Sequence, residues 1–300
     1  MKFFLSTLSI FFLIILTSLI ITLSTIGIET NRFNNLISKK INYVKNKINL
    51  KLTTVKFKLD IKEISLFLET NNSQIEYREV VIPAKNIKVY MDFVSLIKFE
   101  PKIKNINLVL DQLDIKDLKK ISVSLKPSNF NSFLNNKIKQ GKFSTELKIF
   151  LDDNNSLDNF IARGTVSDLK AEIKKEINLE KTNFNFFADK SDVLLKNIFS
   201  ETGPFKIIDG DLKLNLSSEI SVESNFKTNL KFNNKSGNYI NLIKDFKFAN
   251  NIINLDAVLN NSFFINFDKT YKVKNYNFKS NGEITKTNLN FKKPFKNFFL

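Results

Sequence analysis

From residue 50 onward, apolar and polar side chains alternate along the chain, and this period of two constrains the fold most. Successive side chains of a β-strand point to opposite faces, so the alternation predicts strands with one apolar and one polar face. We expect about a dozen to fifteen strands. The apolar sets are Phe57/Leu59/Ile61, Ile87/Val89/Met91/Phe93, Ile106/Leu108/Leu110, Ile121/Val123/Leu125, Phe143/Leu147/Ile149/Leu151, Leu212/Leu214/Leu216, Ile220/Val222/Phe226/Leu230/Phe232, with Ser224 and Thr228 on the same parity, and Ile253/Leu255/Ala257/Leu259.

Helical signals are few in this part of the chain. Apolar residues between Ser128 and Gly141 recur at helical spacing and predict a capped helix, namely Phe130, Phe133, Leu134 and Ile138. Tyr239 to Phe246 predicts a second short helix, and Asp209-Gly210-Asp211 predicts a hairpin turn. No strand–helix–strand rhythm recurs. The fold class is therefore mainly β, with a long antiparallel sheet and a few short helices.

The first 28 residues form an apolar segment. From Phe3 to Ile28 the chain has 26 residues without a charge, and Glu29 follows. A helix of that length rises about 39 Å, which is enough to cross a hydrocarbon core of about 30 Å. A secretory signal peptide is the alternative, but the apolar run is long for one and no A-x-A-like site follows. We expect an uncleaved transmembrane anchor over 1–28.

Residues 29–49 change to the spacing of an amphipathic helix. This helix would lie on the membrane surface or cap the end of a sheet. Basic residues on this side of the anchor would place the body in the cytoplasm, but lysines throughout the chain and a long translocated domain weaken that rule, so local charge leaves the orientation open. The β domain then covers 50–300. The apolar positions of the amphipathic segment are Phe33, Leu36, Ile37, Ile41, Val44 and Ile48.

The apolar face of such a sheet can be covered in three ways. Two sheets can pack as a sandwich, or a transmembrane barrel can turn its apolar face to lipid. A long curved sheet can instead enclose the apolar face in a groove. The anchor, the absence of Trp and the presence of only 6 Tyr speak against a barrel with aromatic girdles. One strand over 220–232 would span about 40 Å, which favours the long curved sheet over a small sandwich.

Composition narrows the function classes. With no His and no Cys, His/Cys zinc sites, Ser-His-Asp or Cys-His triads and thiol redox pairs are excluded. No glycine-rich phosphate motif occurs, and we expect no enzyme activity, cofactor or metal. The net charge is +16, but only Arg32, Arg78 and Arg163 among 46 basic residues are arginine. Evenly spread lysine indicates a solvated surface and no nucleic-acid partner.

Three stretches carry a resemblance to a known family. The block 74–118 reads QIEYREVVIPAKNIKVYMDFVSLIKFEPKIKNINLVLDQLDIKDL, with Pro83-Ala84-Lys85 leading into a strand and a turn at Asp92–Ile97. It resembles the recurring amino-terminal block of the AsmA-like superfamily, the AsmA, TamB and YhdP type of bridge-like lipid-transfer proteins. Arg32–Ile37 after the anchor is similar to the family as well, and Gly164–Leu169 resembles it more weakly.

The resemblance implies an anchor in the bacterial inner membrane and a periplasmic β-groove with an apolar interior. Family members move phospholipids towards the outer membrane and are far longer, so an N-terminal portion or a short member is expected. The implied partners are membrane phospholipids and other envelope proteins. The alternative is a non-catalytic envelope assembly or structural factor whose apolar residues pack as a closed β-sandwich core. The candidate groove lining is Phe57, Leu59, Ile61, Ile87, Val89, Met91, Leu147, Ile149, Val222, Phe226 and Leu230.

Overall fold

The computed structural model of the chain describes residues 2–30, 34, 48–52, 54–63, 65–77, 80–92, 95, 102–123, 129–152, 154, 156–174, 177–217, 219–233, 236, 252–268 and 272–290. Most of the predicted 29–49 helix and the predicted helix at Tyr239 to Phe246 lie outside these residues. At the ends of the first segment the helix prediction is wrong, because Glu29 and Thr30, and likewise Ile48 and Asn49, lie in strands. The described elements are α1 (Lys2–Thr25), β1 (Ile28–Thr30), β2 (Ile48–Lys51), β3 (Val55–Asp60), β4 (Ser65–Tyr77), β5 (Val80–Met91), β6 (Ile103–Leu110), β7 (Leu113–Asp114), α2 (Ile115–Val123), α3 (Asn129–Lys137), β8 (Ile138–Leu151), β9 (Leu157–Lys174), β10 (Ile177–Ala188), β11 (Asp192–Thr202), β12 (Phe205–Asn215), β13 (Ile220–Asn233), β14 (Ile252–Phe267) and β15 (Val273–Leu289).

The strands form one antiparallel sheet, which confirms the predicted mainly β fold. The strand order is β1-β3-β4-β5-β6-β8-β9-β10-β11-β12-β13-β14-β15, while β2 also pairs with β4 and β7 with β8. Almost every strand pairs with its successor in sequence, as short antiparallel connections allow. Among the described strands the path has two ends, β1 and β15, so the sheet is open.

The chain divides into two compact units. Unit 1 consists of Met1–Asp111 and Thr145–Ala162, and unit 2 consists of Gln112–Ser144 and Arg163–Leu300. Unit 1 therefore holds α1 and strands β1 to β6, and unit 2 holds β7, both short helices and strands β10 to β15. Strands β8 and β9 each contribute residues to both units.

Helix α1 carries no charged residue after Lys2. Its stretch Thr7–Thr25 has a mean hydropathy of 2.4 and is not buried against the rest of the chain. The hydroxyls of Thr17, Thr22, Ser24 and Thr25 donate to backbone carbonyl oxygens three or four residues earlier, so these polar groups are satisfied within the helix. A single N-terminal helix of this kind is a signal sequence or a membrane anchor.

Two residues connect α1 to the sheet. The backbone N–H groups of Ile26 and Gly27 both donate to the carbonyl oxygen of Thr22, at 3.1 and 2.8 Å. Gly27 has a φ of +78°, and a Cβ there would lie 2.8 Å from the carbonyl oxygen of Phe57. Glycine fits both demands, since it tolerates the left-handed region and leaves room for β3. Strand β1 then begins at once, with Ile28 opposite Phe57.

The prediction of a strand through Ile121 and Val123 is wrong, because both residues lie in α2. Leu125, the third member of that set, is outside the described residues. In α2 the buried residues Ile115 and Ser122 lie seven positions apart, which is two helical turns. A short run of alternating apolar residues is compatible with either a strand or a helix. Here the burial of residues two helical turns apart is the pattern of a helix.

The helix predicted between Ser128 and Gly141 is confirmed by α3, although Ile138 already begins β8. The hairpin turn predicted at Asp209-Gly210-Asp211 is wrong, because these residues lie inside β12. A Cβ at Gly210 would lie 3.1 Å from the Cβ of Phe226 on β13, so the glycine permits close approach of two strands. The turn before β12 contains Gly203 instead, at a φ of +55°.

Strands β4 and β5 each contain an irregularity at which the alternation of side chains between the two faces shifts by one residue. The shift keeps apolar residues on the same face before and after the irregularity. Asn72 in β4 has a φ of +50°, and Thr70 and Ser73 on either side of it place their hydroxyl oxygens 2.9 Å apart. On β5 the pairing with β6 shifts between Ala84 and Asn86. Ala84 and Ile87 consequently belong to the same buried cluster despite their odd spacing. Such bulges re-aim side chains without ending a strand.

Candidate functional site

Five strands of unit 1 bring apolar side chains into a row. Phe57, Leu68, Val89, Ile106 and Ile149 lie directly opposite one another from β3 through β4, β5 and β6 to β8. Directly paired residues in an antiparallel sheet lie on the same face. We call this surface the unit-1 face.

Two further rows extend the unit-1 face. Ile87, Leu108 and Leu147 are paired across β5, β6 and β8, and Leu59, Leu66 and Met91 are paired across β3, β4 and β5. Ile87 and Met91 are 5% and 7% exposed, and most other members are half-buried. Among the described elements, extensive contacts join sheet neighbours, the two short helices with each other, α2 with β7 and α1 with β3. Within unit 1, no other described element has extensive contacts with this face.

The opposite face of unit 1 carries a ladder of alternating charge. Glu29, Lys56, Glu69 and Lys88 are paired in that order across β1, β3, β4 and β5. Lys56 lies 2.8 Å from Glu29, whose hydrogen bond raises the pKa of Lys56. Because these residues alternate in sequence with the apolar row, the same strands carry an apolar face and a charged face.

Glu69 is the most heavily paired carboxylate of this ladder. Its oxygens lie 2.7 Å from Lys58 Nζ, 3.6 Å from Lys88 Nζ and 2.9 Å from Asn86 Nδ2. Burial alone would raise the pKa of Glu69, but hydrogen bonds from Lys58 and Asn86 outweigh it and lower the pKa below its ordinary value. The carboxylate therefore stays ionised and organises the charged face.

Tyr90 is buried beside this ladder. Its ring stacks on Phe67 with the centroids 5.0 Å apart, and Lys88 Nζ lies 5.4 Å from the centroid of the Phe67 ring. Burial, together with the charges of Asp60 and Glu63, raises the pKa of Tyr90. The phenol is thus neutral and contributes packing to the charged face.

Unit 2 has an apolar surface of its own, the unit-2 face. On one side of it, Val193, Leu214, Val222, Ile265 and Tyr276 are paired in a row from β11 to β15. A second row on the other side consists of Phe205, Leu230, Ala257 and Ile284. Val222 and Leu230 lie eight positions apart on β13, a separation of about 26 Å.

Uncharged polar side chains lie among apolar ones, such as Phe226 and Leu259, between these two rows. Thr182 and Ser200 place their hydroxyl oxygens 2.6 Å apart. Asn261 donates to Thr228 Oγ1 at 3.1 Å and accepts from Ser280 Oγ at 2.8 Å. We call Thr182, Ser200, Ser224, Thr228, Asn261 and Ser280 the polar band, and all of them except Ser280 are buried.

The sequence-predicted lining falls into three groups. The structure brings seven of its residues together on the unit-1 face and three on the unit-2 face. Ile61 joins neither group, because it lies in the turn after β3 and is 60% exposed. The unit-1 group is Phe57, Leu59, Ile87, Val89, Met91, Leu147 and Ile149, and the unit-2 group is Val222, Phe226 and Leu230.

Sequence reasoning missed the part of the unit-1 face that β4 contributes. Leu66, Phe67 and Leu68 form a continuous apolar run, so the period of two is hidden there. The register separates them, since Leu66 and Leu68 lie opposite Leu59 and Phe57 while Phe67 lies opposite Lys58. Ile106 and Leu108 were recognisable as strand residues, and their pairing with Val89 and Ile87 adds them to the face.

Comparison of the chain with protein-family models, with curated proteins and with solved structures found no match. No cluster of three or more acidic ligands suited to a metal ion occurs in the described part of the chain. The class that the structure defines is an N-terminal apolar helix followed by a long antiparallel sheet that is open among the described strands and has apolar rows in both units.

Proposed function

We propose that this protein is a membrane-anchored, non-catalytic lipid-binding protein of the bacterial envelope. Its body would stand in the periplasm, anchored in the inner membrane by α1. There its sheet would form a β-groove that holds phospholipid acyl chains and supports lipid transport towards the outer membrane. The resemblance to the AsmA-like superfamily supports the compartment and the direction. The observation that carries the proposal is the continuous apolar row on the unit-1 face, over which no other described element of unit 1 packs.

The length of that row suits an acyl chain. Four strand spacings of about 4.8 Å separate Phe57 from Ile149 and add to about 19 Å. One leaflet contributes about half of a hydrocarbon core of about 30 Å, so an acyl chain lying across the strands would meet apolar side chains along its whole length.

The energetics favour such an occupant over water. Each CH₂ group of an acyl chain that leaves the bilayer for water costs about 0.8 kcal/mol. Contact with half-buried side chains such as Leu68, Val89 and Ile106 would remove much of that cost. The same contact would cover an apolar surface that soluble proteins rarely leave open. The charged ladder lies on the opposite face, so the two faces of these strands differ in polarity.

The test uses photo-crosslinking amino acids at neighbouring positions of two strands, β8 and β13. In cells of a Gram-negative bacterium, the crosslinker is placed at Ile149 on the unit-1 face and at Phe226 on the unit-2 face. Matched controls carry it at Lys148 and Lys227, one residue away and on the opposite face of the same strands. We expect phospholipid adducts, identified by mass spectrometry, at 149 and 226 and several-fold fewer at 148 and 227.

Two outcomes would contradict the proposal. Equal lipid labelling on both faces would mean that lipid contacts the sheet without regard to its apolar side. Protein adducts at Ile149 and Phe226 without lipid would support a structural or assembly factor whose apolar face is covered by another polypeptide.

A further inference from the structure

Strand β15 presents a long, unprotected sheet edge. All its residues from Val273 to Leu289 are exposed, and no described strand pairs with its outer side. Tyr276, Phe278 and Ile284 are 77%, 59% and 65% exposed, although they continue the unit-2 face. Their partners on β14 are mostly half-buried or buried, because those residues have a strand on both sides. Native proteins usually shorten or block such an edge.

The charges on this edge are arranged self-complementarily. We propose that β15 pairs with β15 of a second copy of this chain, antiparallel and with the two-fold axis at Asn281. In that register Lys279 lies opposite Glu283 of the partner, and by symmetry the ion pair occurs twice. Phe278 lies opposite Ile284 twice as well, on the other side of the sheet. Asn281 is also the midpoint of Val273–Leu289, so this register gives the greatest overlap of the two strands.

Other registers lose this complementarity. An axis at residue 279 or 283 would place Lys279 opposite Lys279 or Glu283 opposite Glu283, and like charges directly opposite are destabilising. An axis at residue 280 or 282 would leave both charges opposite uncharged residues. An axis between two residues would bring the apolar face of one strand against the polar face of the other.

Lys279 and Glu283 are available for this role. Their neighbours on β14 are Ser262 and Val258, which carry no charge. Within the described residues neither side chain forms an ion pair. The alternation of β15 with respect to β14 is regular from Asn275 to Ile284, so the seven residues 278–284 of each copy can form an unbroken ladder.

Charge reversal tests the register and the identity of the partner together. Two differently tagged full-length copies are co-expressed, and the fraction that co-purifies from mild detergent is measured. K279E or E283K alone places two like-charged pairs in the interface, and we expect about a tenfold loss of dimer. K279E/E283K restores opposite charges in a homodimer and should return the dimer to within about twofold of the natural chain.

Disulfide trapping measures the position of the axis. The chain contains no cysteine, so N281C introduces a single thiol that meets its own copy at the axis, where paired Cα atoms lie within disulfide range of about 4.4–6.8 Å. N277C is the matched control, because it is also an exposed asparagine of β15 and would lie about 26 Å from its copy. We expect a crosslinked dimer from N281C and several-fold less from N277C in membranes under mild oxidation.

The following results would contradict the proposed dimer. Equal crosslinking at 277 and 281, no crosslinking at 281, or no rescue by K279E/E283K would overturn the proposal, and capture of a different protein at 281 would assign the edge to that protein instead. None of these results bears on lipid labelling at Ile149 or Phe226. Circular dichroism of each variant verifies that the sheet is intact, since every substituted residue is exposed.

Discussion

The two apolar faces contain neutral polar residues to different extents. The unit-1 face is built mainly from aliphatic and aromatic rows and includes the hydroxyl pair of Thr70 and Ser73, while its charged residues, with Glu69 at their centre, lie on the opposite side of the strands. The unit-2 face accepts a polar band in its middle, but every member is uncharged and Asn261 bridges Thr228 and Ser280. The difference teaches that small neutral groups are tolerated on an apolar face when they pair across strands, whereas a charge needs water or a counter-charge.

A charge within the polar band should therefore have the largest effect. N261D replaces a buried amide by a carboxylate and removes the donor to Thr228, so we expect a loss of about 3 kcal/mol in the free energy of unfolding at neutral pH. Urea unfolding of the full chain in detergent measures it. N260D is the control, because Asn260 is the exposed neighbour on the opposite face, and its effect should stay below about 0.5 kcal/mol. Similar losses of unfolding free energy in N261D and N260D would mean that a charge has the same cost on either side of β14, which would contradict this prediction.

The charged ladder of unit 1 should contribute a smaller, pH-dependent amount. E69Q leaves Lys58 and Lys88 without their shared carboxylate, and we expect a loss of about 2 kcal/mol at pH 7. The pKa of Glu69 in the folded chain lies below its ordinary value of 4.5, so its contribution is complete above that value and disappears as the pH falls through the lowered pKa. The stabilities of the natural chain and E69Q should converge on acidification from pH 6. A pH-independent difference would mean that Glu69 acts through packing alone.

The smallest effect is expected from a single neutral pair. T182V removes one partner of the hydroxyl pair with Ser200 and should cost about 1 kcal/mol. T182V/S200A removes both partners, and the second substitution should add little because no hydroxyl is then left buried alone. A thermodynamic cycle over the four proteins measures the coupling, and purely additive losses would indicate that the pair contributes no hydrogen-bond energy.

The period of two predicted the β fold because it follows directly from strand geometry, and 26 uncharged residues predicted the N-terminal helix. The period of two gave a wrong strand at Ile121 in α2, because a short apolar run fits a strand or a helix and only the burial pattern distinguishes the two. The turn signal at Asp209-Gly210-Asp211 failed because this glycine permits close approach of two strands and does not form a turn. Strand pairing was beyond the sequence, so Leu68 was not assigned to a face. Ser224 and Thr228 were visible as polar residues of apolar parity, but their place in a polar band required the register with β14.

The two end strands of the sheet differ in how many backbone groups they offer for pairing with another chain. At one end β1 has only three residues and follows α1 after the Ile26-Gly27 junction, so it offers few backbone groups to another chain. At the other end β15 offers seventeen residues. In the proposed two-fold contact the β15 edges of both chains are used, so that contact cannot pass on to a third chain. Such a contact is a closed association, which distinguishes it from the open-ended stacking that produces fibrils.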